Sequence, residues 1–101
     1  MTTDTVIEKK KTTSRKLQVP KKYKVVVCND EVTPIEFVIA MLIGIFKHSH
    51  DQAYDLTMAV HQQGSAIAGI YNYEIAEQKA LDGINLARSH GYPLLIKVEE
   101  E

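Results

Sequence analysis

Residues 23–38 read YKVVVCNDEVTPIEFV and place three polar side chains between a predicted strand and a predicted helix. The β-branched run predicts a strand over 23–29. Residues 33–36 (TPIE) have the pattern of a capping box with proline at the first helical position, which predicts a helix over about 34–47. Between the two elements, residues 29–31 bring together one amide and two carboxylates. This cluster of oxygen acceptors is the first candidate functional feature of the chain.

The rest of the chain predicts four further elements with recognisable ends. A second capping box at Ser49–Gln52 begins a helix that Gly64 stops, and Asn72 caps a third helix that Gly91 and Pro93 end. The predicted elements are a helix to about 63, a strand over 65–71, a helix over 73–90 and a strand over 94–98. The order β-α-α-β-α-β predicts an α+β fold in which helices cover one face of a small sheet.

The composition fits a single globular domain. The chain has 101 residues, of which 45% are hydrophobic, and this is enough to bury a core without disulfides. Cys28 is the one cysteine, so it cannot form an internal disulfide, and it fits a reducing, cytoplasmic location. No apolar run reaches the roughly 20 residues that span a bilayer, and the N-terminal stretch has no signal-peptide core. We therefore expect no membrane association.

The charges divide the chain into two parts. Residues 1–22 contain seven Lys or Arg against two acidic residues, and residues 23–101 contain five basic against eleven acidic residues. We predict a flexible basic arm over 1–22 and a folded domain over 23–101. An acidic folded body repels phosphates, so nucleic acid is not an expected partner.

Enzymatic and metal-binding interpretations have weak support. Cys28 and His61 have the residue types of a nucleophile and a base, but Cys28 lies among valines and no glycine-rich oxyanion turn is near. His48 and His50 lack a third ligand at a useful spacing, and phosphate-loop and dinucleotide motifs are absent. We expect no catalytic residue, metal or cofactor. The ordinary interpretation of residues 29–31 is a polar turn, and that of His61 is a histidine at a helix edge.

Three segments together resemble one known family. They are YKVVVCNDEVTPIEFV at 23–38, AVHQQGSAIAGIYNYEIAEQKA at 59–80 and HGYPLLIKVE at 90–99. The chain from about Tyr23 to Val98 resembles ClpS, the adaptor of the Clp ATP-dependent protease. The resemblance implies three helices packed on a three-stranded antiparallel sheet. It also implies an N-degron receptor that delivers substrate proteins to a Clp AAA+ unfoldase of the ClpA or ClpC type.

The resemblance implies specific site residues in this chain. An N-terminal ammonium has donors and no acceptor, and the implied acceptors are Asn29, Asp30, Glu31 and His61. The implied hydrophobic pocket for the first side chain consists of Ile35, Val38, Thr57, Val60 and Leu94. The implied unfoldase contacts are Glu74 and Lys79. The chain departs from the common pattern at Glu31, where the family has aspartate, and at Ile35 and Thr57, where many members have methionine.

Two alternative functions are consistent with the same residues. One is a protein-interaction domain without an ammonium site, like the C-terminal domain of the ribosomal stalk protein. The other is a small hydrolase that uses His61. Only the N-degron receptor should distinguish a free N-terminal amine from an acetylated one.

Overall fold

The computed structural model describes residues 19–101, so residues 1–18 of the predicted arm lie outside the described part. The elements in chain order are β1 (Tyr23–Cys28), α1 (Ile35–Gly44), α2 (His50–Gln63), β2 (Ser65–Tyr71), α3 (Tyr73–Ser89) and β3 (Leu95–Glu100). The predicted order β-α-α-β-α-β and the α+β class are confirmed. Within residues 19–101, no helix is both long enough and apolar enough to cross a membrane.

The sheet is antiparallel with β1 in the centre, in the order β2-β1-β3. Val25 and Val27 of β1 are fully buried, because alternate residues of the central strand face the helices. The β1–β2 register shifts between Val25, which is opposite Gly69, and Val26, which is opposite Ile67. Ala68 is therefore an extra residue in β2, a β-bulge.

The helices form the second layer of the domain. Helix α3 contacts all three strands, α2 contacts β2, and α1 packs on α2. The buried face of α3 consists of the small residues Ala76, Ala80, Gly83 and Ala87. Small side chains let the helix backbone approach the sheet closely. Ile84 is half-buried beside them.

The prediction of a capping box at the start of α1 is wrong. The N-cap is Pro34, which makes no side-chain cap, and the first helical residue is Ile35. The Thr33 hydroxyl donates instead to Asp30 Oδ2 at 2.7 Å. In a capping box the threonine hydroxyl accepts from a backbone N–H, whereas here it is the donor in a charge-assisted hydrogen bond to the Asp30 carboxylate.

Helix α1 also ends three residues before the predicted boundary at 47. The backbone N–H of His48 donates to the Leu42 carbonyl across six residues, at 3.2 Å. Lys47, the residue before His48, has φ 62°, and this left-handed conformation does not continue the right-handed helix. Lysine gives no sequence signal for this conformation, since glycine is the usual residue.

Both ends of α2 and the start of α3 agree with the sequence. Ser49 and Gln52 form the predicted capping box, Gly64 ends α2 with φ 96°, and the Asn72 side chain accepts from the Ile75 N–H. Smaller corrections apply to three boundaries. Strand β1 ends at Cys28 and not at 29, α3 ends at Ser89 and not at 90, and β3 spans 95–100 and not 94–98.

Candidate functional site

A cavity of about 330 Å³ lies where the turn after β1 meets α1 and the second half of α2. Its lining combines acceptor side chains on one side with apolar side chains on the other. The lining residues are Asn29, Asp30, Glu31, Thr33, Ile35, Val38, Thr57 and His61. The structure therefore brings together seven of the nine residues predicted for the ammonium site and the hydrophobic pocket.

A backbone contact between two loops fixes the polar side of the cavity. The Asn29 N–H donates to the Gly64 carbonyl at 2.9 Å. Gly64 is the left-handed C-cap of α2, and His61 lies in the last turn of that helix. Asn29 directly follows β1, whose last residue, Cys28, pairs with Ser65. The end of α2 and the end of β1 are therefore held side by side, and His61 and Asn29 come together across 32 positions of sequence.

The Asp30 carboxylate organises the turn that carries the cluster. Oδ1 accepts from the backbone N–H groups of Val32 and Thr33 at 2.7 Å each, and Oδ2 accepts from the Thr33 hydroxyl. Partial burial raises the pKa of Asp30, but the hydrogen bonds from Thr33 and Val32 and the positive charge of Arg88 outweigh burial, so its pKa is below the ordinary value. Asp30 is thus a negative charge whose acceptor sites are largely used by the turn.

The remaining acceptors face solvent with free lone pairs. Asn29, Glu31 and His61 are exposed, and within residues 19–101 their side chains form no hydrogen bond with the protein. An amide oxygen, a carboxylate and an unprotonated imidazole nitrogen each accept a hydrogen bond from an ammonium group. The cluster is therefore suited to a small cationic donor.

The opposite side of the cavity is apolar. Val38 is buried against the core, and Ile35 is 37% exposed at the cavity edge. Thr57 is buried, and its hydroxyl donates to the Ala53 carbonyl of its own helix at 2.7 Å. This bond satisfies the threonine hydroxyl, which leaves the cavity wall without an unpaired polar group.

Two predicted pocket residues are not among the lining residues. Val60 and Leu94 belong to the buried core, with exposures of 4% and 1%. The Leu94 carbonyl accepts from Arg88 Nη1 at 2.9 Å, as does the Tyr92 carbonyl. Conversely, the sequence interpretation missed Thr33, which lines the cavity and holds Asp30, because Thr33 was assigned to the helix cap. An aspartate three residues before a threonine is the signal for this turn.

The residues predicted to contact an unfoldase have different surroundings. Glu74 is exposed in the first turn of α3. Lys79 is partly buried, its Nζ donates to the Ile45 carbonyl at 2.8 Å, and it lies 5.5 Å from the centre of the Tyr71 ring. Lys79 therefore also connects α3 to the end of α1.

The alternative chemistries gain no geometric support. Cys28 is a half-buried thiol that does not line the cavity with His61. His48 Nε2 donates to the carbonyl of the bulge residue Ala68 at 2.6 Å. In the described part of the chain, no three His, Cys, Asp or Glu residues are grouped as metal ligands.

Comparisons with known proteins agree on one family. The family described as ATP-dependent Clp protease adaptor protein ClpS matches residues 18–97. The ClpS adapter of Treponema denticola is 41% identical over 87 residues, which cover 86% of each chain. That of Campylobacter jejuni subsp. jejuni is 44% identical over 86 residues, which cover 85% of this chain and 90% of its own.

A solved structure shows the same fold with a ligand. The structure of Agrobacterium tumefaciens ClpS2 bound to L-phenylalaninamide superposes with a TM-score of 0.80 at 38% identity. The match covers 82% of this chain and all of that one. The predicted arrangement of three helices on a three-stranded antiparallel sheet is therefore confirmed. By sequence and structure together, the chain belongs to the ClpS family of adaptors of the ATP-dependent Clp protease.

Proposed function

We propose that this adaptor binds N-degron proteins through their free α-amino group and a large apolar first side chain. The observation that carries the proposal is one cavity in which Asn29, Glu31 and His61 offer free acceptors beside an apolar wall. The ligand of the similar ClpS2 structure, L-phenylalaninamide, has a free α-amine and an aromatic side chain. It has the chemistry of the first residue of a peptide.

Each part of the cavity has a role in this proposal. The three N–H donors of the ammonium bond to Asn29, Glu31 and His61, while the charge of Asp30 lies behind them and favours a cation. The first side chain enters beside Ile35, Val38 and Thr57, where burial of a Leu or Phe side chain contributes about 1.5–3 kcal/mol. Val60 and Leu94 support this wall from the core. The acceptors and the wall together require both a free amine and a bulky apolar residue, and the proposal includes no catalytic step, cofactor or metal.

Peptide titration tests the proposal directly. Fluorescence anisotropy should show binding of a peptide with a free N-terminal Leu or Phe and none of the same peptide after acetylation. His61→Ala should weaken binding by about 10- to 150-fold, since a hydrogen bond to a charged group contributes about 1.5–3 kcal/mol. His50→Ala is the matched control, because His50 is also an exposed histidine of α2 but lies outside the cavity.

The outcomes separate the alternatives. Equal binding of free and acetylated peptides would make the cavity a general interaction surface without an ammonium site. Turnover of the peptide that His61→Ala abolishes would indicate a hydrolase. Equal affinities of His61→Ala and His50→Ala for the free peptide would remove His61 from the site.

We also propose that the adaptor delivers its substrates to a Clp AAA+ unfoldase of the ClpA or ClpC type, in the cytoplasm. Glu74 is exposed and available for such a contact, whereas the Lys79 ammonium already bonds to Ile45. Glu74→Ala should therefore weaken unfoldase binding in a pull-down without changing peptide affinity. Lys79→Ala should in addition lower the free energy of unfolding. Unchanged unfoldase binding by Glu74→Ala would exclude this helix turn as the contact.

A further inference from the structure

A second cavity, of about 480 Å³, forms a groove between α3 and the edge strand β3. We call it the α3–β3 groove. Its apolar floor consists of Leu81 and Ile84 from the helix and Ile96 and Val98 from the strand, and Glu74 and Glu77 line its rim. Leu81 is 49% exposed. A groove with an apolar floor and an acidic rim is suited to a short segment that combines a bulky apolar residue with basic residues.

The acidic rim has no basic partner in the described part of the chain. No Lys, Arg or His side chain of residues 19–101 lies within ion-pair distance of Glu74 or Glu77. The Glu77 carboxylate accepts a hydrogen bond from the Tyr73 hydroxyl at 3.0 Å. The positive charge of the chain is concentrated in residues 1–22, which contain seven basic and two acidic residues.

The arm joins the domain beside one end of this groove. Lys21 Nζ lies 3.2 Å from Glu100 Oε2, and the Lys22 carbonyl accepts from the Glu101 N–H at 2.9 Å. The next residue, Tyr23, packs edge-to-face on Tyr73, whose ring centre is 5.0 Å away. Tyr73 opens α3 and Glu100 ends β3, so the arm leaves the domain where the two walls of the groove begin.

The sequence before this point contains a matching segment. Residues 15–17 read Arg-Lys-Leu and precede Val19 by two positions. An extended chain covers about 3.3–3.6 Å per residue, so the four steps from Lys21 back to Leu17 span roughly 14 Å, comparable with the roughly 12 Å of α3 between Tyr73 and Leu81 at 1.5 Å per residue. We propose that Arg15-Lys16-Leu17 docks in the α3–β3 groove of its own chain, with Leu17 on the apolar floor and the two cations on Glu74 and Glu77.

Because residues 15–17 are covalently joined to the domain, a weak contact is sufficient for docking. A segment joined by a short linker has an effective concentration in the millimolar range, so a modest affinity already populates the docked state. Docking covers Glu74. If Glu74 contacts the unfoldase, as proposed above, the arm competes with the unfoldase for this surface. That consequence rests on the proposed function, whereas docking itself does not.

Paramagnetic relaxation tests the docking without any partner. In the full chain, Cys28→Ser removes the native thiol, and Ser14→Cys provides the one cysteine to which a nitroxide spin label is attached. NMR then measures how strongly the label broadens the methyl signals of the domain. We expect several-fold stronger broadening at Leu81, Ile84, Ile96 and Val98 than at Val38, and recovery of these signals in about 0.5 M salt, which screens the ion pairs.

Lys16→Glu should remove the broadening, and adding Glu77→Lys should restore it. Lys9→Glu is the matched control, since it makes the same charge change outside the segment and should leave the broadening unchanged.

Three results would overturn the proposal. Uniform weak broadening of all methyl groups would mean that the arm does not dock. Broadening centred on Ile35 and Val38 would mean that the arm occupies the ammonium-site cavity. Broadening that persists between a labelled chain and a separate nitroxide-bearing chain would mean that the occupant belongs to a second copy. None of these results depends on N-degron binding, so a failed docking experiment and a failed peptide titration remain distinguishable.

Discussion

Thr57→Met should shift the preference of the cavity toward aromatic first residues. Thr57 is only 2% exposed, so the longer methionine side chain finds space mainly in the adjacent cavity of about 330 Å³. The lost hydroxyl leaves no unpaired group, because the Ala53 carbonyl retains its helical hydrogen bond from the Thr57 N–H. The fold should therefore tolerate the change, and the effect should appear in ligand selection.

The size of this change in ligand preference follows from contact between the methionine sulfur and the aromatic ring of the first residue. Such contacts contribute about 0.3–1.5 kcal/mol, which corresponds to about a two- to thirteenfold change in the ratio of the Kd for a Leu peptide to that for a Phe peptide. Ile35→Met replaces a β-branched residue at the cavity edge with a flexible one, so the double variant should shift further. In the wild type we expect Leu and Met to be accepted and Ile and Val to be excluded beside Ile35.

Competition anisotropy with Leu, Phe, Tyr, Trp and Ile peptides measures these ratios. Leu56→Met is the matched control, because Leu56 precedes Thr57 in α2 but lines a different surface, next to β2. The double variant should rank the aromatic peptides higher, while Leu56→Met should keep the wild-type order. An unchanged order in the double variant would show that Ile35 and Thr57 do not select the first side chain.

Three further predictions concern the scaffold of the site. The pKa of Asp30 is lowered in the fold, so the ionised carboxylate stabilises the fold fully above its unfolded pKa of about 3.9, and this stabilisation is lost as the pH falls through the folded pKa. In urea titrations, Asp30→Ala should therefore lose less free energy of unfolding than wild type between pH 5 and pH 2. An equal loss in both proteins would contradict the role of Asp30 in the turn. Gly64→Ala should lower the free energy of unfolding by about 1–2 kcal/mol, because a side chain is strained at φ 96°. Gly44→Ala should raise it by up to about 1 kcal/mol, because alanine favours the helix and its Cβ would meet no atom within 4 Å. Equal effects of the two substitutions would show that the backbone at Gly64 is not strained by a side chain. Arg88→Ala should lower the melting temperature and reduce peptide affinity, because Arg88 holds the Leu94 carbonyl, and unchanged values for both would show that this anchor is unimportant.

Local sequence signals predicted most of the helix ends. Ser49, Gly64 and Asn72 act within one helical turn, so their roles can be recognised without the fold. The TPIE pattern predicts that Thr33 caps α1, and only the structure shows that its hydroxyl donates to Asp30 while the helix starts at Ile35 without a side-chain cap. The left-handed Lys47 gives no local signal at all.

The sequence by itself determined the element order, the fold class and the family, and the resemblance predicted the residue types of the candidate site. Tertiary structure decided which of these residues share a cavity. The pairing of Cys28 with Ser65 and the bond from Asn29 to Gly64 bring His61 to the acceptor cluster, while Val60, one position away on α2, turns into the core. The physical reason is that helix capping and strand patterning depend on neighbours within a few positions, whereas a cavity depends on contacts between segments about 30 residues apart.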